Sequence, residues 1–347
     1  MIRSRSNAVA DSVLVTGVTG FLGAHVAQAL LRRGLKVIGS ARTQAKGAAV
    51  RNALSAEGAD ISRLRIVPLD LMKDDGWEEA AGSSAYTIHT ASPFQLEMPA
   101  DPDALIRPAI QGTRRALDAA LAAGHRRIVV TSSLCAIDGG RRDDSVRLGP
   151  HDWAELEGED VNAYMRSKTL AEREAWTIAD RAGARDRLVV INPGTMLGPL
   201  IDDDPGTSAR TIQRMLRGKV PMAPDMVLPY VDVRDVAEAH VEAMLGPNAG
   251  GQRFIVSNPA EPLIAIADGL RADLPERAAK LPKRRMPDWL TRIVARFDRS
   301  LSSNRAYLGV RRHYDLSGGI ALLQRALIPT RVAALATAQS LIQRRLA

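Results

Sequence analysis

The run Tyr164-Met165-Arg166-Ser167-Lys168 sets a phenol and an ammonium at positions i and i+4, on one helical face and a single turn apart. A tyrosine ordinarily ionises near ~10, too high for a proton shuttle at neutral pH, and a nearby cation favours the phenolate. The pair predicts an acid–base tyrosine tuned by Lys168. Tyr-x-x-x-Lys also arises by chance, so its weight comes from its setting. Upstream, Val129-Val130-Thr131-Ser132-Ser133 is an apolar run that ends in hydroxyls. Ser133, with Ser132 as the alternative, could hydrogen-bond a substrate oxygen and stabilise the negative charge that grows on it. The third element is Thr16-Gly17-Val18-Thr19-Gly20-Phe21-Leu22-Gly23, directly after Val13-Leu14-Val15 and directly before the helix-like Ala24–Leu31. Gly17 permits a sharp turn, Gly20 a close approach of the backbone to a pyrophosphate, and Gly23 tight packing of helix on strand. The N–H groups of the helix start then face the anion.

These groups need a scaffold that brings strand ends together. Apolar, β-branched runs alternate with alanine- and arginine-rich helical stretches, which predicts a doubly wound parallel α/β sheet of Rossmann type. Seven strands are expected at Val13–Thr16, Lys36–Ala41, Leu64–Leu69, Tyr86–Thr90, Arg127–Ser132, Arg187–Asn192 and Arg253–Val256. Helices are expected at about Leu22–Arg33, Pro108–Ala123 and Tyr164–Ala182. Ligands of such sheets bind at the carboxyl ends of the strands, where Thr131, Ser132 and Ser133 fall. After Asn192 the alternation fails. Pro193–Pro229 is rich in proline, glycine and aspartate around a short helix near Ala209–Arg217, and Pro259 onward reads as peripheral. Residues 1–192 with 230–258 are therefore expected to form a cofactor domain, and 193–229 with 259–347 a discontinuous substrate domain.

The second strand of this fold usually ends in a carboxylate about 20 positions past the glycines, which bonds the ribose hydroxyls of NAD. Here Val37-Ile38-Gly39-Ser40-Ala41 closes without one, and Arg42 follows, with Lys46 four residues on. A guanidinium clamps a 2′-phosphate that a carboxylate would repel, so NADP(H) is favoured over NAD(H). Asp70, after the third strand, could accept from an adenine amino group. In 347 residues with 46% hydrophobic and 25% charged, no apolar run approaches the ~18 residues of a membrane span. The N-terminus has no apolar signal region, so the cytoplasm is the expected compartment. Cys135, the only cysteine, excludes an internal disulfide and a cysteine-based zinc site, and reads as a small buried residue. The net charge of +8 is spread along the chain and only 4% of residues are aromatic, so no nucleic-acid surface is expected. Lys283-Arg284-Arg285 and Arg311-Arg312 read as solvated surface, and the arginine-rich Pro329–Ala347 as a helix able to lie on a membrane.

With a glycine turn, a serine and Tyr-x-x-x-Lys in this order, the chain resembles the extended short-chain dehydrogenase/reductase family over Val13 to Asn258. Within it, the chain is most similar to the dihydroflavonol reductase and cinnamoyl-CoA reductase branch. The residues that carry the closer likeness are His89-Thr90-Ala91-Ser92-Pro93-Phe94, Pro108–Thr113, Asn192–Pro199 and Val231–Ala237. The resemblance implies that Ser133, Tyr164 and Lys168 are catalytic, Tyr164 being the acid in reduction. It implies that Gly17, Gly20, Gly23, Arg42, Asp70, Leu71, Ala91, Ser92, Pro193 and Met196 line the cofactor, and Thr19, Phe21, Leu22, Lys46, Thr90, Thr131 and Gly194 fall in the same stretches. Phe94, Gln95, Met196, Met222, Met226 and Tyr230 are expected as substrate-pocket walls. The family's closing segment is only faintly echoed in Leu308 to Leu323, where its usual Asp-Asn pair reads Asp315-Leu316.

The expected activity is NADPH-dependent reduction of a ketone or aldehyde, reversible, without a metal and on a small-molecule carbonyl or alcohol. The alternatives are an NAD-dependent hydroxysteroid-type dehydrogenase, a sugar-nucleotide epimerase, or a non-catalytic NADP-binding regulatory protein. Epimerases and dehydratases usually carry an acidic residue where Ala41 stands, and the residues after Ser133, Leu134-Cys135-Ala136, lack the acidic pair of a dehydratase. A homo-oligomer is left open.

Overall fold

The computed structural model describes residues 11–93, 99–158, 160–298, 301–302 and 304–347. Its central sheet consists of β1 (Ser12–Thr16), β2 (Lys36–Ala41), β3 (Leu64–Pro68), β4 (Tyr86–His89), β5 (Arg127–Thr131), β6 (Leu188–Pro193) and β7 (Arg253–Val256). The strands lie in the order 3-2-1-4-5-6-7, every neighbouring pair parallel. β1 and β6 are buried at every position, as continuous apolar runs must be when helices cover both faces. Helices α1 (Phe21–Arg32) and α4 (Val233–Leu245) pack together on one face, and α2 (Asp103–Ala122) and α3 (Ala163–Arg181) on the other.

The strand order reverses between β1 and β4, where Thr16 stands opposite His89. A doubly wound sheet opens its binding crevice at such a point. α2 begins five residues before the expected Pro108, which lies inside the helix. The proline forfeits one backbone bond, but Leu105, Ala109, Thr113, Ala116 and Leu117 stay buried along one face, and that packing carries the helix through it.

Beyond β6 the chain builds a second packing centre. Thr195–Leu197, Val227–Asp232 and Ala260–Pro262 form a small sheet, covered by helices Gly206–Leu216, Leu263–Asp273 and Thr330–Gln343. Leu197, Ile212, Met215, Leu263, Leu270 and Leu341 fill its interior, and Phe21 packs against both centres. The C-terminal helix is not free to lie on a membrane. Ala333, Ala334, Ala338 and Leu341 are buried, while Thr337 Oγ1 accepts from Gly198 N (2.7 Å) and Ser340 Oγ from Leu200 N (3.1 Å). Among the described residues, no helix is long and apolar enough to cross a membrane.

Candidate active site

The glycine turn is shaped by what surrounds it. Gly17 has φ +71°, and a Cβ there would lie 2.8 Å from Ala91 Cα; one at Gly23 would lie 2.1 Å from Gly17 O. Among the described residues only Gly17 O, at 3.4 Å, lies near a Cβ at Gly20. Gly20 caps α1 without a side-chain hydrogen bond, and the first turn holds no acidic residue, so its N–H groups are open to an anion. Gly17 N donates to Ser40 Oγ (3.0 Å), so β2 fixes the turn through a serine that the sequence reading did not single out. Arg42 and Lys46 follow β2, are exposed and enter no ion pair among the described residues. These features fit an anionic dinucleotide.

Several of the residues expected along the cofactor are also bonded within the protein. Thr90 Oγ1 donates to Thr16 O (2.7 Å), Ala91 N to Thr16 Oγ1 (3.2 Å), and Thr131 Oγ1 is bonded to His240 Nε2 (2.7 Å). Asp70 Oδ1 accepts from Met72 N (2.9 Å), closing its own turn, and Leu71 packs over Gly112. Leu22 is buried in the main core, so only its backbone faces the turn, whereas Thr19 and Phe21 are half-buried at its rim.

Asn162 Oδ1 caps α3 by accepting from Met165 N (2.9 Å), which places Tyr164 in the first turn and Lys168 one turn deeper. Tyr164 and Ser133 hydroxyls are hydrogen-bonded to each other. Cys135 N also donates to Ser133 Oγ (3.2 Å). The Ser132 hydroxyl instead donates to Glu172 Oε2 (2.5 Å). Lys168 is 8% exposed and lines a narrow crevice with His89, Ala91, Ser92, Thr131, Ser132 and Glu172.

Burial governs the charges here. It pushes the Lys168 ammonium down to about 8, against the opposing pull of Cys135 and Glu172. Burial, then the Lys168 charge, pushes His89 down to about 3. The Tyr164 phenol is pushed up by burial and by Cys135, with the Ser133 hydrogen bond acting the other way. A phenol lowered by its lysine was expected; here the one lowering influence comes from Ser133, and burial outweighs it.

Sequence reasoning missed a buried hub on α3. Glu172 accepts from Ser132, Asn192 Nδ2 (2.9 Å), Trp176 Nε1 (3.3 Å) and Arg253 Nε (2.5 Å), tying β5, β6 and β7 beneath the serines. The signal was available: Glu172 stands four residues past Lys168 on the same helix face. Cys135 is half-buried and polar in company, its Sγ 3.1 Å from Tyr307 Oη. Tyr314 Oη donates to Asp138 Oδ2 (2.6 Å) and Tyr307 Oη to Asp138 Oδ1 (3.5 Å). Arg312, expected on the surface, is 5% exposed and donates to Arg141 O and Ala306 O. The C-terminal segment thus clamps the turn that carries Ser133.

Of the expected pocket walls, Phe94 and Gln95 lie outside the described residues. Tyr230 and Met226 are 4% and 7% exposed within the second packing centre, and so belong to its interior. Met196 and Met222 are half-buried. Pro193 O accepts from Leu134 N (3.0 Å), and a Cβ on Gly194 would lie 2.5 Å from Pro229 O. Among the described residues no group of three His, Cys, Asp or Glu could hold a metal.

Residues 13–257 match the model of the NAD dependent epimerase/dehydratase family. The chain belongs to that family. This member is an extended short-chain dehydrogenase/reductase in fold and sequence. It is 34% identical to ketoreductase azaE of Aspergillus niger, over 85% of this chain and 91% of that protein. It is 35% identical to cinnamoyl-CoA reductase 1 of Oryza sativa subsp. japonica, over 73% of each. The crystal structure of yeast methylglyoxal/isovaleraldehyde reductase Gre2 complexed with NADPH superposes with a TM-score of 0.80 at 25% identity, covering 96% of this chain and 99% of that one.

Proposed function

We propose that this family member reduces a small ketone or aldehyde to an alcohol with NADPH, reversibly, in the cytoplasm. The observation that carries the reading is the hydrogen-bonded Ser133–Tyr164 pair beside the buried Lys168. Support comes from relatives whose names are ketoreductase, methylglyoxal reductase and cinnamoyl-CoA reductase.

When bound, the dihydronicotinamide supplies a hydride for the carbonyl carbon. Tyr164 Oη gives its proton to the carbonyl oxygen; its raised pKa keeps that proton in place until negative charge develops on the substrate. Ser133 Oγ, held by Cys135 N, donates a second hydrogen bond to that oxygen. Lys168 offsets the phenolate that remains. Gly17, Thr19, Gly20, Phe21, Leu22 and Gly23 would cradle the pyrophosphate, Arg42 and Lys46 the 2′-phosphate, and Asp70 and Leu71 the adenine rim. Thr90, Ala91, Ser92, Thr131, Pro193, Gly194 and Met196 would border the nicotinamide half. Residues 1–192 with 230–258 would bind the cofactor, and 193–229 with 259–347 the substrate.

Tyr164→Phe tests the mechanism. NADPH titration by fluorescence should be unchanged while turnover of an aldehyde panel falls about 10²–10⁴-fold. Undiminished turnover would refute the assignment of Tyr164. Tight NADH binding without turnover on any aldehyde or ketone would instead favour the epimerase reading.

A further inference from the structure

One exposed apolar ridge stands apart from the active site. Trp289, Ile293 and Phe297 are 65%, 45% and 84% exposed and recur at i, i+4 and i+8, so they share one side of the helix Asp288–Val294 and the turn that continues it. Asp298 N donates to Val294 O (2.8 Å), which holds that turn in helical register. The opposite side is docked: Thr291 and Ala295 are 3% and 6% exposed. Both ends are tied down, by Met286 N to Ala223 O (2.6 Å) and by Arg214 with Asp298 (2.9 Å). The ridge is held outward by a fixed element.

The segment that carries it is cationic. Residues 277–298 contain seven Lys and Arg against two Asp, a net +5 of the chain's +8. Lys280, Lys283, Arg284 and Arg296 are exposed and form no ion pair among the described residues. Arg285, by contrast, is paired with Asp225 (3.3 Å). Aromatic and aliphatic side chains beside unpaired cations match the interfacial depth and negative potential of an anionic bilayer.

We infer that the face formed by Trp289, Ile293, Phe297 and the 280–284 cations docks the protein peripherally on an anionic lipid surface. A second copy fits poorly, because a two-fold contact would set this positive charge against itself. A nucleic acid would meet the cations and leave Ile293 without a partner.

Co-sedimentation of the full chain with phosphatidylcholine vesicles, with and without phosphatidylglycerol, tests the inference. Binding is expected only to the mixed vesicles, and to fade as salt rises. Trp289→Ser/Phe297→Ser and Lys283→Glu/Arg284→Glu should each weaken it at least ~10-fold, with thermal unfolding unchanged. Three results would overturn it: no binding to the mixed vesicles, an apolar double variant that binds as tightly as the parent, or a parental dimer that the apolar variant dissolves.

Discussion

Glu172→Gln keeps the shape of the buried hub and removes its charge. The Arg253 side chain is 8% exposed and its Nε lies 2.5 Å from Glu172 Oε1, so the guanidinium loses its counter-ion in a dry site. Removing one partner of such a pair costs about 3–5 kcal/mol, because the other charge stays buried. Glutamine also turns one acceptor into an NH2 group facing the donors that now converge on the carboxylate. With a urea slope of about 3 kcal/mol/M for a chain of this size, the unfolding midpoint should fall by about 1 to 1.7 M. The Glu172 charge also helps to keep Lys168 protonated, so its loss should carry the lysine below its present pKa of about 8. Urea unfolding followed by tryptophan fluorescence reads the first effect. The pH dependence of kcat/KM with NADPH and a small aldehyde reads the second, as a shift of the alkaline limb toward neutrality. A midpoint within about 0.3 M of the parent together with an unmoved limb would refute the account of the hub.

In the parent, kcat/KM should decline as pH rises through about 8, where Lys168 loses its proton, and Lys168→Met should abolish that limb; a flat parental profile to pH 10 contradicts a role for the charge. Buried His25 and His240 are pushed down to about 4 and His89 to about 3, first by desolvation in each case. They are neutral in the fold and protonate in the unfolded chain near ~6.5, so the stability they give is complete above that pH and is lost as pH falls toward 4. At 1.36 kcal/mol per unit this is on the order of 3 kcal/mol each for His25 and His240 and nearer ~5 for His89, and Tm should drop steeply from pH 6.5 to 4.5; a level Tm over that range would falsify it. Gly23→Ala would set a methyl 2.1 Å from Gly17 O, so NADPH titration should show binding weakened by at least ~10-fold; parental affinity would mean the turn can yield.

The strands were legible because each is a short apolar run between turn signals: Lys36–Ala41 and Arg253–Val256 occur as expected, four others differ at one end, and Leu188–Pro193 is shifted by one residue. α2 was read short, since proline punctuates a sequence while packing decides a helix. The glycine turn and the Tyr164–Lys168 spacing are local patterns and could be seen. The groups that hold them could not. Ser40 meets Gly17 across 23 positions, Arg253 meets Glu172 across 81, and Tyr307 meets Cys135 across 172. Such pairs leave no periodic trace, and their polar types read as surface until the fold buries them. Arg312 shows the same limit, since neighbouring arginines suggest solvent and only the folded chain supplies the carbonyls that take one of them inside.

The clamp on Ser133 also bears on how the protein is made. A ribosome that has just added Val256 has synthesised every strand of the central sheet together with Ser133, Tyr164 and Lys168, yet none of Tyr307, Arg312 or Tyr314. At about 5–20 residues per second, the seconds that follow separate a nascent sheet from a braced serine turn. A message cut short near codon 300 would therefore encode all three of those side chains, with the turn of Ser133 still bonded to Asn192 and Pro193 but without the tyrosines and arginine that close over it. The brace therefore arrives late, the last of its contacts joining Tyr314 to Asp138 across 176 positions.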